Sequence, residues 1–326
     1  MGDISHLTHI PISEIWAARE RIKDIVPHTP LLPLNIDQTD KDCKIYLKLE
    51  NLLPTGAFKL RGSTNAILCL ADDKLSNGVY TASAGNFGQG FAWSATKRGV
   101  PCQIIIPDHV PETKVTAMER FGGVVMKVPF DTWWKVIQEH RYDGMTGSFV
   151  HPGCDRNVIA GNGTMGLEIL EQLPSVDAVI CPYGSGGMTC GIASTFKALK
   201  PSVRVYACEV ETAAPLAASL AAGEPKSCDY TPSFVDGIGG KSVLPEMWNL
   251  VSSLATGSIV SSLEETADAL RTLILRNHVV AEGAGAASVA AALSGKAGKG
   301  NIVCVISGGN IDPDRLSKIL QNEIPK

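Results

Sequence analysis

One lysine stands out by its surroundings. In Thr55-Gly56-Ala57-Phe58-Lys59-Leu60-Arg61-Gly62, Lys59 lies between an aromatic ring and a glycine-bounded turn, just after the apolar run Lys44 to Leu49. A lysine amine becomes a covalent catalyst by forming a Schiff base with a carbonyl, and it must be partly desolvated to lose its proton near neutral pH. Phe58 can supply the apolar wall. The bland alternative for the octapeptide alone is a solvated lysine beside a turn.

Three further turns follow predicted strands, where open parallel sheets bind ligands. Ser83-Ala84-Gly85-Asn86-Phe87-Gly88 has small residues that let backbone N–H groups converge on an anion, with Asn86 as an oriented donor and Ser83 as a hydroxyl. A serine-capped strand-to-helix turn is its alternative. Gly184-Ser185-Gly186-Gly187 stands between a strand ending at Pro182 and a helix, where backbone donors and the helix dipole bind phosphate. A dinucleotide fingerprint would also place an acid near Glu209, but its third glycine position is Thr189. One phosphate fits better than a pyrophosphate. Ser307-Gly308-Gly309-Asn310 adds a hydroxyl at the end of the last strand. A Schiff-base lysine, a phosphate cup and groups that orient an aromatic ring are together what pyridoxal phosphate asks of a protein.

The elements that must hold these turns follow from periodicity. Ser13 to Val26 reads as a packing helix, Ile45 to Leu49 as a strand leading into the lysine turn, and Ser63 to Leu70 as a helix with the lysine at its mouth. From Val79 to Arg141 short apolar runs alternate with helical patterns, and the rhythm resumes from Gly161 to Ile306. That alternation predicts α/β architecture with parallel sheets. The segment Tyr142 to Gly153 is expected to carry the chain between the two units.

Composition narrows the function class. With 326 residues, 44% hydrophobic and 19% charged, and a net charge of -4, the chain has ample core material and no basic footprint for nucleic acid. Met1 to Pro11 lacks the basic start and apolar core of a signal peptide, and no apolar run reaches membrane-spanning length. Nine cysteines without a CxxC pair predict reduced thiols in a cytoplasmic protein rather than disulfides or a zinc site. Trp133 and Trp134 read as packing residues.

At Thr55 to Gly62, Ser83 to Gly90, His151-Pro152, Val158 to Glu168, Gly184 to Gly187, Asp236-Gly237, Glu282 to Ala287 and Ser307 to Asn310, the chain resembles the fold type II pyridoxal-phosphate enzymes. Within them it is similar to the serine/threonine dehydratase and serine racemase group over nearly its whole length. The resemblance implies a tryptophan synthase beta-like fold: two open twisted sheets flanked by helices, with the active site in the cleft between a large domain (1–74 and 151–326) and a small mobile domain (75–150). It implies that Lys59 carries the cofactor and Phe58 packs beside the ring. Asn86 is expected at the ring hydroxyl, Gly184, Ser185, Gly186, Gly187 and Met188 at the phosphate, and Ser307 at the pyridine nitrogen. The substrate carboxylate is expected on Ser83, Ala84, Gly85, Asn86 and Phe87. The implied reaction is β-elimination from a 3-hydroxy amino acid by a monomer or homodimer.

Departures from the family's pattern refine this. Ala84 replaces the second serine that serves racemases as acid/base, so racemisation is not expected as the main activity. Phe87 replaces a usual histidine, and Gly153 a bulkier residue. If Gly153 faces the substrate, it makes room for a phenylserine-type side chain beside L-threonine and L-serine; a compensating loop rearrangement is the alternative. Glu209 and the Ala213 carbonyl match two members of a divalent-ion site, but Pro215 replaces the following aspartate. Weak or monovalent binding at most is expected, with Glu209 a solvated strand-end acid instead. No regulatory domain is expected after Asn310. Other readings are β-replacement of the cysteine synthase type, which Leu60-Arg61-Gly62 after the lysine disfavours, and a non-catalytic cofactor-binding protein.

Overall fold

The computed structural model describes residues 3–37 and 42–325. Ten strands run in chain order: β1 Leu31–Pro33, β2 Cys43–Leu49, β3 Val79–Ala82, β4 Cys102–Pro107, β5 Val124–Val128, β6 Ser148–Phe149, β7 Ala178–Pro182, β8 Arg204–Val210, β9 Gly257–Ser261 and β10 Gly300–Ile306. They form two sheets, a six-stranded one in the order β1-β2-β10-β7-β8-β9 and a four-stranded one in the order β5-β4-β3-β6. All pairings are parallel except β1 on β2, so helices must cover both faces. Accordingly, β10 buries Ile302 to Ile306 without a break, and β3 is buried at every position.

The larger sheet takes strands from both ends of the sequence, and the smaller is built wholly between Val79 and Phe149. Tyr142 to Gly153 is more than a crossing. Its Ser148 and Phe149 pair with Val79 and Tyr80 as the fourth strand before the chain returns.

The lysine-bearing helix, Lys59–Leu68, begins four residues earlier than the apolar spacing predicts, so Lys59 is its first residue. Two helices press on it at glycines. A side chain at Gly90 of helix Asn86–Arg98 would stand 3.1 Å from Leu60 N, and one at Gly161 of helix Arg156–Gln172 would stand 2.6 Å from Arg61 O. The contact with the smaller unit is also polar, since the Ser63 and Thr64 hydroxyls meet Ser94 Oγ at 3.2 and 2.9 Å.

Beneath the helix lies a buried quartet of charges. Arg61 donates to Glu50 through Nε at 2.7 Å and to Glu168 through Nη1 at 2.6 Å, and Lys48 Nζ donates to Glu168 Oε2 at 2.6 Å. Thr29 and Gln172 fill the remaining positions. Burial alone would raise the Glu168 carboxyl, but Arg61 and Lys48 outweigh it and hold it low. Charges so enclosed tolerate no missing partner. Arg61→Leu is therefore expected to cost about 3–5 kcal/mol in urea unfolding. A loss below about 1 kcal/mol, the scale of an exposed ion pair, would show that the quartet does not anchor this helix.

Candidate active site

Lys59 Nζ lies 4.9 Å from the centre of the Phe58 ring and 5.8 Å from that of Phe87. Phe87 is itself buried and stacks on Phe91 at 5.9 Å, so one ring serves both the small sheet's core and the wall beside the amine. Lys59 keeps some exposed surface, yet the dense protein around it disfavours the charged form. Burial lowers its pKa from 10.5 to about 8, against the opposing pull of Glu282.

Ser307 directly follows β10 and is buried, and its carbonyl accepts from Phe58 N at 2.9 Å. Ala57 bridges to Gly308, so the fourth turn lies directly against the lysine turn. Asn86 opens helix Asn86–Arg98 and arrives from the smaller sheet. Its Nδ2 donates to both oxygens of Glu282 at 2.9 and 3.1 Å, and its Oδ1 accepts from Asn310 Nδ2 at 2.9 Å. Ser83 Oγ accepts from Gly85 N and Gly88 N at 3.4 and 3.3 Å, which shapes the loop Ser83 to Phe87. The N–H groups of Asn86 and Phe87, at the start of the helix, have no intrahelical acceptor and suit an anion.

Gly184 to Gly187 connects β7 to helix Gly187–Leu199. Gly186 supplies the left-handed turn, with φ +89°. Just beyond it, the Thr189 hydroxyl is buried with no partner among the described residues, as is Asn162 Oδ1. Asn162 reaches between the two turns, with Nδ2 3.6 Å from the side-chain direction of Gly187 and Oδ1 2.8 Å from that of Gly62. The unpartnered Thr189 hydroxyl, a donor beside an open helix start, suits an oxyanion, whereas Asn162 Oδ1 can only accept. The residues present fit a covalently held pyridoxal phosphate: this loop would hold a phosphate, Lys59 a carbonyl, and Asn86 and Ser307 would offer polar groups to a ring.

Two expectations change on this geometry. The position a Gly153 side chain would occupy is filled: Ser185 Cβ and Oγ lie 2.5 Å from it. Gly153 thus makes room for the phosphate loop, and its missing side chain opens no space for a larger substrate. The turn is held by His151, whose Nδ1 accepts from Gly153 N at 3.0 Å and Cys154 N at 2.8 Å. Burial, then His140 and Lys59, push that imidazole down to about 3, so it is neutral with its proton on Nε2. Glu209 is no solvated acid. It is fully buried and accepts from Leu216 N, Ala217 N and Ser258 Oγ at 2.9, 2.8 and 2.6 Å, capping helix Pro215–Ala222. These bonds occupy both oxygens, and no cluster of three or more His, Cys, Asp or Glu able to hold a metal occurs among the described residues. Trp133 packs between Phe130 and Trp134, at 5.7 and 6.1 Å. No helix among the described residues is long and apolar enough to cross a membrane.

Known proteins bear on this arrangement. A family described as pyridoxal-phosphate dependent enzyme matches residues 22–308. The chain belongs to that family, with the fold type II architecture, and pyridoxal phosphate is its cofactor. Among its relatives, the L-threonine ammonia-lyase of Thermotoga maritima is 37% identical over 321 residues, covering 97% of this chain and 80% of the relative. The L-threonine dehydratase catabolic TdcB of Staphylococcus aureus is 34% identical over 96% of this chain and 92% of its own length. The structure of maize serine racemase superposes with a TM-score of 0.85 at 31% identity, over 97% of this chain and 98% of that one.

The lowered pKa of Lys59 makes a stability prediction. Between about 8 and 10.5 the folded chain binds fewer protons than the unfolded one, so the cost of burying the charged amine is full below about 8 and gone above 10.5. Cofactor-free Lys59→Met is expected to be more stable than the parent at pH 7, with the difference shrinking as pH rises through that window. Urea titrations at pH 7 and at about 9.5 measure it; no gain at pH 7 would contradict the burial.

Proposed function

We propose that this protein is a dehydratase (ammonia-lyase) that converts a 3-hydroxy amino acid to a 2-oxo acid and ammonia by β-elimination. Bound pyridoxal phosphate supplies a carbonyl for the amine and an electron sink for the carbon beside it. The chain's own residues do the rest. Lys59 holds the cofactor and, once displaced by substrate, takes the Cα proton at Nζ, a role suited to an amine whose pKa is near 8. The loop Ser83 to Phe87 takes the substrate carboxylate, and Gly184 to Met188 take the phosphate. Ser307 offers the ring nitrogen a hydroxyl in place of a carboxylate, which leaves the ring less firmly protonated and favours expulsion of a β-substituent over a long-lived carbanion. The β-hydroxyl leaves with a proton as water, and the enamine released takes up one water in hydrolysing to the 2-oxo acid and ammonia. We assign the segment 75–150 to a small domain that moves to cover the substrate, and 1–74 with 151–326 to the domain that keeps the cofactor.

The observation that carries the elimination reading is one amine of lowered pKa at the site, facing a carboxylate loop whose residue 84 is alanine. Inverting Cα needs a second proton carrier, and alanine holds no proton. The ammonia-lyase and dehydratase names of the two curated relatives support the same reading. L-Threonine and L-serine are the first candidate substrates. L-Phenylserine is the third, supported by the Phe87 ring beside Lys59 and no longer by Gly153.

Ammonia and 2-oxo acid release from separate stereoisomers of threonine, serine and phenylserine tests this. 2-Oxobutanoate and pyruvate are the expected main products, and Lys59→Ala should form none. Racemised substrate without ammonia would refute the elimination reading.

The Gly153 geometry is tested separately. Gly153→Ala should weaken cofactor binding at least about tenfold, because Cβ and Oγ of Ser185 must both move. Adding Ser185→Gly removes the clash and should recover part of the loss, the part lost with the Ser185 hydroxyl staying lost while the loop's backbone N–H groups remain. Unchanged binding in the single variant would show that the phosphate loop yields freely.

A further inference from the structure

None of these steps uses Glu282. It immediately precedes helix Gly283–Leu293, its N–H donates to Gly308 O at 2.9 Å, and it is only 7% exposed. Both carboxylate oxygens face the same donor, Asn86 Nδ2, while Asn310 Nδ2 donates to Asn86 Oδ1 from the other side. Asn310 Nδ2 also donates to Thr55 O at 2.9 Å, which fixes its own orientation.

An asparagine amide has two N–H hydrogens on one side and an acceptor oxygen on the other. Reversing Asn86 would set its oxygen against a carboxylate and its nitrogen against the Asn310 nitrogen. Glu282 and Asn310 therefore admit a single orientation. In it the oxygen has its donor, one N–H is engaged by Glu282, and the second N–H is free for a ligand. Glu282 contributes to this only when ionised, because a neutral carboxyl carries an O–H and can donate to a reversed amide, leaving Asn310 alone against it.

We propose that Glu282, in its ionised form, is a positioning residue that fixes the Asn86 amide with its free N–H presented to the cofactor's ring oxygen. The proposal rests on the reading above in which Asn86 meets the cofactor.

The groups around Glu282 set when it is ionised. Asp236, on the segment beside Gly237, opposes ionisation; Lys114 of helix Glu112–Glu119 and Lys59 of helix Lys59–Leu68 favour it, while Asn86 donates to it. Asp236 is in turn held by Lys114 at 3.2 Å and Arg315 at 2.8 Å. Burial outweighs the favourable groups and raises the carboxyl from 4.5 to about 7. The orientation is thus secure above about pH 7 and weakens as pH falls through it.

The test uses protein reconstituted with pyridoxal phosphate. Cofactor dissociation constants and the absorption band of the bound cofactor are followed from about pH 6 to 9 in the parent, Glu282→Gln, Glu282→Leu and Asn86→Ala, with thermal unfolding as a folding control. In the parent, affinity should fall as pH drops through about 7. Glu282→Leu should bind the cofactor about tenfold or more weakly at pH 8, the worth of one hydrogen bond to a charged group. It should also lose the step near 7, leaving only titration belonging to Lys59. Glu282→Gln is neutral at every pH and, like the protonated carboxyl, can accept from or donate to the Asn86 amide, so at pH 8 it should bind as weakly as the parent does below its step, with the step gone. If Glu282→Leu does not fold, Glu282→Gln decides alone, and a persisting step near 7 overturns the proposal. A loss of equal size at every pH in both variants, with the parental step near 7 kept, marks a merely structural role and also overturns it. Parental behaviour in both Glu282 variants with weakened binding in Asn86→Ala sinks the proposal while leaving the Asn86 reading intact. Parental binding in Asn86→Ala sinks that reading, and the proposal with it.

Discussion

Everything at the site depends on two cations, two residues apart on one short helix, that are treated in opposite ways. Arg61 is enclosed with Glu50 and Glu168, and with Lys48 the group is neutral overall and hydrogen-bonded. Lys59 has no ion-pair partner within 4.0 Å among the described residues, only two aromatic rings and the more distant field of Glu282. The same desolvation acts on both. Where carboxylates meet it, the cation stays charged and becomes an anchor; where they do not, the proton is loosened, which suits the amine to the proposed role of nucleophile and base. The anchor holds the helix so that the other cation can remain uncompensated.

The second dependence is between sheets. Lys59, Ser307 and the phosphate loop hang from the ends of strands in the larger sheet, while Asn86 and the loop before it come from the smaller one. Asn86 is joined to the larger unit through Glu282 and Asn310, and Lys114 is joined to it through Asp236. The hydrogen bonds at Asn86 report on how the halves stand to each other.

The four turns were legible because their signal is local: glycine, serine and asparagine after an apolar run mark where backbone donors gather, whatever the rest of the chain does. The parallel sheets were legible for a similar reason. The anchor was not, because Glu168 lies 107 positions from Arg61 and nothing in a linear pattern pairs them. Helix Gly283–Leu293 escaped because alanine and glycine on every side leave no polar face, hence no period. Glu209 was misjudged since a strand-end acid is usually solvated, and a cap formed by the helix start at Leu216 is tertiary information. At Gly153 the sequence shows that a side chain is missing but not that Ser185 fills the gap.

The central claim is that Lys59 is the covalent anchor of the cofactor. Borohydride reduction of the reconstituted protein followed by peptide mapping addresses it directly, because reduction fixes the cofactor to whichever amine bears it. The account predicts the pyridoxyl group on the peptide containing Lys59 and on no other. Its recovery on another lysine, or its absence from a protein that binds and turns over, would contradict it.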